Sequence, residues 1–512
     1  MIKLIESADK KKSFFRRFLD WVERVGNKLP HPFTLFLILT GATMVLSAVV
    51  ASLGVEVIHP GTQEPVAVKS LISKNGILWI ISSFLSNFIG FTPLGLVLVM
   101  TFGIGLAEEV GFVFTSLRKL ILGVPKSLIT ATVIFAGIMG NIASDAAFVV
   151  IPPLAAIIFL AVKRHPLAGL AAGFAGVGAG FTANLIVAGT DALLAGITNE
   201  AAKSIGIEGA VTPVSNWYFL IASTFVLTFV GAWITDKIVE PRLGTYKGDT
   251  VKELEALTPL ENKGLRNAGI AALLYIGLIL AGLVPKTGML RHPENHTIVP
   301  SPFLSGIIPI LMMFFFIVAL AYGITVGTIK SEKDIPKMLS KVMKGMSGYV
   351  VLVFAASQFI AFFNWSNMGT VLAVNGAEFL NHIGFTGIPL MVGFIFITTV
   401  VNLFIGSGSA KWALLAPIFV PMLSLMGYSP AFIQLAYRIG DSATNPMSPL
   451  FPYFPVILAF AQEYDEEAGV GTLLSLMIPY SLIFLGIWIV QMIIWMSLNL
   501  PLGPDAVVHL IK

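Results

Sequence analysis

Long apolar runs, each followed by a short polar segment, make up most of the chain. A membrane-spanning helix needs about 20 consecutive apolar residues, and runs near that length predict single spans. These runs cover residues 32–53, 217–234, 268–284, 302–322 and 472–495. Two other runs, 76–113 and 350–380, are too long for one straight crossing, so each predicts a crossing with a kinked or interrupted helix. The pattern predicts an all-α polytopic membrane protein.

Two further apolar stretches carry polar residues in their middle. Residues 126–162 begin and end beside basic residues, which mark the cytoplasmic side of a membrane protein. This stretch and residues 386–427 each predict a re-entrant hairpin with a polar tip at bilayer depth. The stretches that follow them, 166–200 and 431–462, are interrupted by Gly, Thr, Asn and Asp, so they predict broken spans. Irregular backbone at that depth is tolerated only where protein or a water-filled cavity surrounds it.

The two hairpins belong to an internal repeat. Adding 265 to the position of Ser144 gives Ser409, and an offset of 261 relates Asn184 to Asn445. The first hairpin opens towards the predicted cytoplasmic side and the second towards the outside. Two halves of opposite topology are typical of secondary transporters built from inverted repeats.

The predicted organisation therefore has nine spans and two hairpins, with the N-terminus cytoplasmic and the C-terminus outside. In chain order it consists of a cytoplasmic amphipathic segment (1–30), a first span with an external loop (31–75), a first repeat (76–236), scaffold spans with basic cytoplasmic loops (237–345), a second repeat (346–497) and a C-terminal tail (498–512).

Composition agrees with a membrane protein and removes several function classes. Of the 512 residues, 56% are hydrophobic and 12% are charged, whereas soluble domains average about 25% charged residues. The chain has no cysteine, which excludes disulfides and thiolate metal sites. Its net charge of +4 resides mostly in predicted cytoplasmic segments, so nucleic acid is not an expected partner. The expected surroundings are a lipid bilayer.

Charged residues inside the second repeat are the strongest functional signal. Lys411, Arg438 and Asp441 fall in the stretch 406–449, between long apolar runs. Ionisable residues at bilayer depth are costly and usually functional. We expect Asp441 to carry a coupling proton or cation and Arg438 to bind an anionic group of a substrate. The alternative is that these two residues, three apart on a helix, neutralise each other.

Other polar residues extend this candidate site. Asp191, just past the break of the first repeat, is a candidate that also has the chemistry to close the following half-helix. Ser409 and Trp412 follow the Gly-rich tip of the second hairpin, where helix amides attract anions and an indole offers a stacking face; packing is the alternative for Trp412. The amide oxygens that suit a Na+ ion, the only metal expected, are those of Asn402, Asn184 and Asn445, with Asn141 as a further possibility. Interhelical hydrogen bonding is the alternative for each of them.

Two other functions for a polytopic protein are a channel and an intramembrane protease. A serine protease needs Gly-x-Ser-Gly, but Gly406-Ser407-Gly408-Ser409 is out of phase with it. An aspartyl protease needs Gly-x-Gly-Asp, and Arg438 replaces the first glycine of that motif. An enzyme is therefore not expected, and two hairpins with broken spans favour alternating access over a channel.

Three motifs resemble those of one transporter family. They are the stretch 22–32 before the first span, the Gly-Ser-Gly-Ser-Ala-Lys-Trp of 406–412 and the Tyr-Arg-Ile-Gly-Asp-Ser-Ala-Thr-Asn-Pro of 437–446. Together they closely resemble the p-aminobenzoyl-glutamate transporter (AbgT) family, over essentially the whole chain. The resemblance implies a homodimeric transporter of the bacterial inner membrane with nine spans and two hairpins per protomer.

The resemblance also implies a substrate and a set of functional residues. Family members are described as importing p-aminobenzoyl-glutamate, a folate breakdown product, and some as exporting sulfonamide antimetabolites by the proton motive force. The positions that match the family's functional residues are Asp191, Ser409, Trp412, Pro430, Arg438, Asp441 and Pro449. We expect no cofactor beyond a coupling ion, H+ or Na+, and an aromatic carboxylate as the small-molecule partner. Lys411 has no assigned role.

Overall fold

The computed structural model describes residues 30–58, 64–122, 124–143, 146–246, 256–298, 301–448 and 451–510. Within these ranges the chain is nearly all helical, as the apolar runs predict. The predicted amphipathic segment lies outside the described residues, apart from Pro30.

The helices follow the predicted runs closely. In chain order they are α1 (Pro32–Ser52), α2 (Lys74–Ile89), α3 (Thr92–Glu109), α4 (Phe112–Leu122), α5 (Ile129–Gly140), α6 (Ala146–Ala161), α7 (Pro166–Gly178), α8 (Gly189–Ala202), α9 (Trp217–Ile234), α10 (Glu240–Leu243), α11 (Pro259–Leu283), α12 (Pro302–Ser305), α13 (Ile307–Val326), α14 (Asp334–Gly345), α15 (Ser347–Trp365), α16 (Met368–His382), α17 (Gly387–Asn402), α18 (Gly408–Leu425), α19 (Pro430–Ala443), α20 (Phe454–Gln462) and α21 (Val470–Ser497). Short 3-10 turns lie at Lys126–Leu128, Asn141–Ala143, Lys203–Ile205 and Asn445–Met447, and a π turn lies at Thr235–Val239.

Eight helical segments of the described ranges are long and apolar enough to cross a membrane. One of them, Gly408–Leu425, is an arm of the second predicted hairpin. The two broken spans, α7–α8 and α19–α20, are absent from that count because each consists of two short helices. Setting the hairpin arm aside and adding the two broken spans gives the nine predicted crossings.

The long runs bend where the sequence offers a breaker. The chain between α2 and α3 turns at Gly90 and Phe91, and Pro93 occupies the first turn of α3, where proline is well tolerated. The run 350–380 is interrupted at Asn367, whose φ of 62° is left-handed and ends the helical path between α15 and α16. Each run therefore forms two helices rather than one kinked rod.

One predicted boundary is wrong by about two turns. The span predicted from residue 268 begins at Pro259, because Thr258 and Glu261 form a capping box. The Thr258 hydroxyl accepts the backbone N–H of Glu261 at 3.1 Å, and the Glu261 carboxylate accepts the N–H of Thr258 at 2.7 Å. The first turns are polar, so hydropathy alone places the start of the helix too late.

A two-stranded sheet and the C-terminal tail also go beyond the prediction. Strands β1 (Glu56–Ile58) and β2 (Pro65–Ala67) pair antiparallel in the loop after α1, so the fold is not purely helical. The tail is an integral part of the core. The carbonyl of Leu502 accepts the N–H of Tyr218 at 2.9 Å, and that of Val508 accepts the N–H of Ser429 at 2.9 Å. The tail thereby holds the starts of α9 and α19 together.

Helices of the first repeat approach each other through glycine. A Cβ on Gly137 of α5 would lie 2.8 Å from the Cα of Gly176 in α7, with backbone as its neighbour. Small residues allow such backbone contact between membrane helices. The same crossing brings the C-terminal ends of α5 and α7 close together.

We predict that Gly137→Ala destabilises the protein. The added methyl group has no flexible side chain to displace, and overpacking a tight contact costs about 1–3 kcal/mol. Thermal unfolding of the purified protein in detergent measures the effect as a lower midpoint temperature.

Gly41→Ala in α1 is the matched control, because nothing lies within 4 Å of the added Cβ. Its midpoint should equal or slightly exceed that of the unmodified protein, since alanine is the better helix former. Equal midpoints for the two variants would contradict the packing described for α5 and α7.

Candidate functional site

The two broken spans meet at their breaks. The hydroxyls of Thr182, in the irregular stretch after α7, and Ser442, near the end of α19, lie 2.8 Å apart. The side-chain amide of Asn445 donates to the backbone carbonyl of Gly178 at 3.4 Å. Gly178 admits this contact because a Cβ there would lie 2.9 Å from the ring of Pro446. The interruptions of both repeats therefore form one polar centre.

Helix α19 carries two of the charged residues at this centre, Arg438 and Asp441. All of its residues are buried, although its sequence includes Gln434, Arg438, Asp441 and Ser442. A buried helix with such polar residues is stable only if other elements satisfy each of them. The partners come from both repeats.

Arg438 pairs with Asp191 across the two repeats. Arg438 Nη1 donates to Asp191 Oδ1 at 2.6 Å, and the residues are 1% and 2% exposed. The other carboxylate oxygen of Asp191 accepts the N–H of Ala188 at 2.6 Å. Asp191 therefore closes the N-terminus of α8 and neutralises Arg438 at the same time, although it acts from the third helical position rather than from the cap.

Asp441 pairs with Lys411 of the second hairpin. Lys411 Nζ lies 2.6 Å from Asp441 Oδ1 and also donates to the side-chain oxygen of Asn402. The hydroxyl of Tyr437 donates to the same Asp441 oxygen at 3.3 Å. Lys411, to which the sequence assigns no role, is fully buried.

Arg438 and Asp441 are therefore not each other's partners. Each is neutralised by a residue of a different element, which removes the alternative of a closed pair within α19. The spacing of three residues predicts that the two side chains lie on one face, but it contains no information about Asp191 or Lys411. Four buried charges sum to zero in two separate pairs.

Three of the cation candidates, Asn402, Asp441 and Asn445, lie together. The side-chain amide of Asn402 faces the backbone oxygen of Asp441 at 2.7 Å, Thr444 Oγ1 at 2.9 Å and Asn445 Oδ1 at 3.0 Å. Oxygens of this kind suit a Na+ ion, but here they face the amide of Asn402, whose own oxygen contacts the ammonium of Lys411, as does the Asp441 carboxylate. The other candidates, Asn184 and Asn141, belong to the first repeat and make none of these contacts.

Trp412 does not offer an open face in this structure. Its indole is fully buried and stacks on Tyr437, with ring centroids 4.4 Å apart and planes inclined by 28°. Its Nε1 donates to Thr198 Oγ1 at 2.9 Å, and that hydroxyl donates to Gln434 Oε1 at 2.6 Å. Stacking of a ligand on Trp412 stays a prediction. In this structure Trp412 ties the second hairpin to α8 and α19.

The remaining sequence candidates divide between the cavity and distant positions. Ser409, in the first turn of α18, lines the cavity described below. Pro430 is the first residue of α19 and follows the cap Ser429. It lies eleven residues before Asp441, about 16 Å along a helix, and does not line the cavity. Pro449 lies outside the described residues.

A cavity of about 580 Å3 lies against the charged centre. Its lining includes Asp441, Asn445 and the Ser407–Ser409 tip, together with residues of α3 and α14. Among these, Lys341 Nζ pairs with Glu109 at 2.9 Å, and Lys341 is largely exposed. Glu109, the last residue of α3, thus borders the cavity.

Aromatic rings form a second part of the cavity wall. Phe148 stacks on Tyr453 at 4.8 Å with nearly parallel planes, and on Phe181 at 6.4 Å. These rings come from the first hairpin, the first break and the start of α20. Nothing in the local sequence marks them, because single aromatic residues are common in membrane helices; only the tertiary structure gathers them.

No group of three or more His, Cys, Asp or Glu side chains with the geometry of a metal site occurs among the described residues. The described site combines paired buried charges and amide side chains with an aromatic cavity.

Comparisons with known proteins identify transporters as relatives of this chain. The model of the AbgT putative transporter family matches residues 17–510. The p-aminobenzoyl-glutamate transport protein of Escherichia coli (strain K12) is 46% identical over 484 residues, which are 94% of this chain and 95% of that protein.

Two solved structures share the fold. The YdaH transporter of Alcanivorax borkumensis, described as having an unusual topology, superposes with a TM-score of 0.89 at 38% identity, covering 93% of this chain and all of that one. MtrF of Neisseria gonorrhoeae, described as illuminating a class of antimetabolite efflux pumps, gives 0.90 at 44% identity, covering 96% of this chain and all of that one.

We predict that Lys411→Met destabilises the protein by about 3–5 kcal/mol, because Asp441 is left buried and unpaired. The double variant Lys411→Met/Asp441→Leu should be less destabilised than Lys411→Met alone. Thermal unfolding in detergent, arranged as a double-mutant cycle, measures the coupling between the two side chains.

Lys203→Ala is the control, because Lys203 forms a half-exposed pair with Glu200. Exposed pairs contribute less than about 1 kcal/mol, so its midpoint should barely change. Additive effects of the Lys411 and Asp441 substitutions would show that these residues do not interact.

Proposed function

The chain belongs to the AbgT family of transporters, and from that premise we propose that it is a secondary active transporter of p-aminobenzoyl-glutamate or related aromatic amino-acid conjugates. Transport is coupled to H+ or Na+ and works by alternating access in the bacterial inner membrane, with a homodimer as the working form. The protein is not an enzyme. The observation that carries the proposal is the pair of buried ion pairs where two broken spans meet beside a cavity.

The cavity has the size and the lining to bind an aromatic acid. Its volume of about 580 Å3 falls within the usual range of about 300–1,000 Å3 for small-molecule sites. The partly exposed rings of Phe181 and Tyr453 offer stacking faces for a benzoyl ring, and the buried ring of Phe148 stacks on both of them. This wall supports recognition of the aromatic half of the substrate without any rearrangement of Trp412.

The start of helix α18 offers a binding place for the carboxylates of the substrate. Helix α18 begins at Gly408, directly beside the cavity, and Ser407 and Ser409 add hydroxyls there. The first turn of a helix has free amides and a partial positive charge that favour anions. Arg438 is not among the residues that line the cavity, but it lies one turn before Asp441 on α19, and its Nε finds no hydrogen-bond partner among the described residues. The hairpin tip therefore supplies the first contact for a carboxylate, and the guanidinium has donor capacity to spare.

Cation coupling follows from the place of Asp441. Its carboxylate lines the cavity and contacts Lys411, Tyr437 and the hairpin tip. A Cβ on Gly408 would lie 3.2 Å from Asp441 Oδ2, so the tip approaches the carboxylate closely. A proton or cation that reaches Asp441 competes with Lys411 and thereby alters what holds the second hairpin. Occupancy of the cation site and the position of the tip are linked in this way.

Helix α14, which carries Lys337, Lys341 and Lys344, lines part of the cavity. Basic residues in short loops mark the cytoplasmic side, so we expect this side of the cavity to face the cytoplasm. The opposite repeat supplies the other gate, since its hairpin has the reverse orientation.

Export is the second candidate direction. MtrF, the relative described as illuminating a class of antimetabolite efflux pumps, shares 44% of its residues and the fold. Sulfonamides carry the same p-aminophenyl group as p-aminobenzoyl conjugates, so the aromatic wall fits both. Efflux of sulfonamide antimetabolites driven by the proton motive force is therefore the alternative that the same cavity supports.

We predict that proteoliposomes of the purified protein take up labelled p-aminobenzoyl-glutamate when a cation gradient is imposed. Proton and Na+ gradients are applied separately, so the one that drives accumulation identifies the coupling ion. Asp441→Asn and Arg438→Lys should reduce uptake at least tenfold, because one loses the cation ligand and the other loses the planar guanidinium.

Arg266→Lys is the matched control for the arginine substitution, since Arg266 is exposed on α11. It should retain unmodified uptake, and size-exclusion profiles show whether each variant is folded. Unmodified rates in both site variants would contradict the assignment. Sulfonamide counterflow without uptake of the conjugate would establish export instead, and ion flux without saturable substrate movement would establish a channel.

A further inference from the structure

The hydrogen bonds around Asn402 in the second repeat recur around Asn141 in the first. The offset of 261 that relates Asn184 to Asn445 also relates Asn141 to Asn402 and Gly180 to Asp441. The side-chain amide of Asn402 donates to the backbone carbonyl of Asp441, and that of Asn141 donates to the backbone carbonyl of Gly180. The same bond therefore joins equivalent elements in both halves.

The halves differ in what their amide oxygens meet. In the second repeat, Asn402 Oδ1 accepts from Lys411, and Asn445 Oδ1 accepts from Asn402. In the first, the side-chain oxygens of Asn141 and Asn184 have no hydrogen-bond partner in the part of the chain that the structure describes. Both residues are only 2% exposed. Buried polar atoms without a partner are rare and call for an explanation such as an ion or a water molecule.

The second repeat shows that a cluster of oxygens of this kind accepts a positive charge. Lys411 puts an ammonium among the oxygens of Asn402 and Asp441. At the hairpin offset of 265, the residue that corresponds to Lys411 is Ala146. The first repeat therefore has the oxygens but supplies no cationic side chain from that position.

Helix geometry also favours a cation in the first repeat. Helix α5 ends at Gly140, immediately before Asn141, and α7 ends at Gly178, close to Gly180. The C-terminus of a helix carries a partial negative charge from its free carbonyls. Two such ends converge on the Asn141 amide, and the irregular backbone of 179–188 adds further carbonyls that no longer belong to a helix.

We propose that the first repeat holds a Na+ ion, bound by the side-chain oxygens of Asn141 and Asn184 together with backbone carbonyls of the stretch 179–188. Neutral amide and carbonyl oxygens of unwound segments are the ligands that membrane transporters use for Na+. The two asparagines offer no group that takes up a proton in the physiological range. A divalent ion of the Ca2+ or Mg2+ type relies on carboxylates, and neither asparagine supplies one.

This assignment deepens the proposed cation coupling, on which it rests, by giving the two repeats different cations. The second repeat holds the ammonium of Lys411 beside the coupling carboxylate of Asp441, and the first repeat takes a Na+ ion from solution. Because the irregular stretch 179–188 includes Thr182, which contacts Ser442, the ion stabilises the same junction that holds the two ion pairs. Its presence would therefore favour one arrangement of the breaks.

Binding of 22Na+ to the purified full-length protein in detergent tests the proposal without any transport step. Choline replaces Na+ at constant ionic strength, and the Na+-dependent rise in the thermal unfolding midpoint gives a second readout, since a ligand of the native state stabilises it. We expect saturable binding to the unmodified protein, an at least tenfold loss of affinity in Asn141→Ala and Asn184→Ala, and a several-fold gain at pH 8 in Asn184→Asp, which adds a carboxylate. The gain cannot arise from misfolding, so it decides the test if the alanine variants are unstable.

Two control variants show whether the bound Na+ occupies the first repeat. Asn216 is equally buried, but its amide donates to the carbonyl of Ala431 and its oxygen accepts from Gln434; Asn216→Ala should retain the Na+ affinity. Asp441→Asn removes the carboxylate of the second repeat, and Na+ should still bind to that variant through the first repeat. Absence of Na+ binding to the unmodified protein would mean that only water satisfies the two oxygens and would overturn the proposal. Unchanged affinity in all Asn141 and Asn184 variants would overturn it as well.

Failure here would leave the transport assignment standing, because uptake of the conjugate in a proton gradient needs no Na+. Conversely, Na+ binding with no substrate transport would uphold the site and contradict the proposed function.

Discussion

Every charge at the centre of this fold has to be neutralised by another part of the protein, because the hydrocarbon of lipid supplies neither a counter-charge nor a hydrogen bond. Asp191 and Arg438 join the first repeat to the second, and Lys411 and Asp441 join the second hairpin to the second broken span. Breaking a buried ion pair leaves a charge whose desolvation is uncompensated, at a cost of about 3–5 kcal/mol. These pairs therefore fix where the breaks of the two spans meet, and the cavity, the aromatic wall and the hairpin tip take their places around them.

The same constraint explains why the interrupted helices are buried. Gly178, Thr182 and Asn445 sit where the backbone leaves helical geometry, and their polar groups bond across the junction rather than within one helix. Such backbone is stable inside a membrane protein only when neighbouring protein or water satisfies it. The proposed alternating access would require these few bonds to exchange partners in a second arrangement of the junction.

The two repeats are alike in path and unlike in chemistry. Asn141 and Asn402 hold equivalent carbonyls, but only the second repeat has a lysine beside its asparagine. The internal repeat places a similar cluster of oxygen atoms near helix ends in each half. Single residues decide which group faces each cluster. Under the proposed Na+ site, one half would retain a fixed charge while the other half would take its cation from solution.

The sequence by itself determined the membrane class, the spans, both hairpins and both breaks, because these follow from apolar run length and from Gly, Pro and Asn placed within it. It also singled out Arg438 and Asp441, since a charge inside an apolar run stands out. It did not determine that Asp191 and Lys411 neutralise them, that Trp412 stacks on Tyr437, or that Phe148, Phe181 and Tyr453 line one cavity. Those contacts join residues from 25 to more than 300 positions apart, and no local pattern encodes which of many buried polar or aromatic side chains will meet.

Sequence-based prediction missed the capping box that starts α11 early and the tail that bonds to the start of α19 for a different reason. Their signals are polar, and hydropathy does not detect them. Periodicity and composition determine whether a segment lies in lipid or in water. The packing of distant segments decides which partner each buried charge obtains.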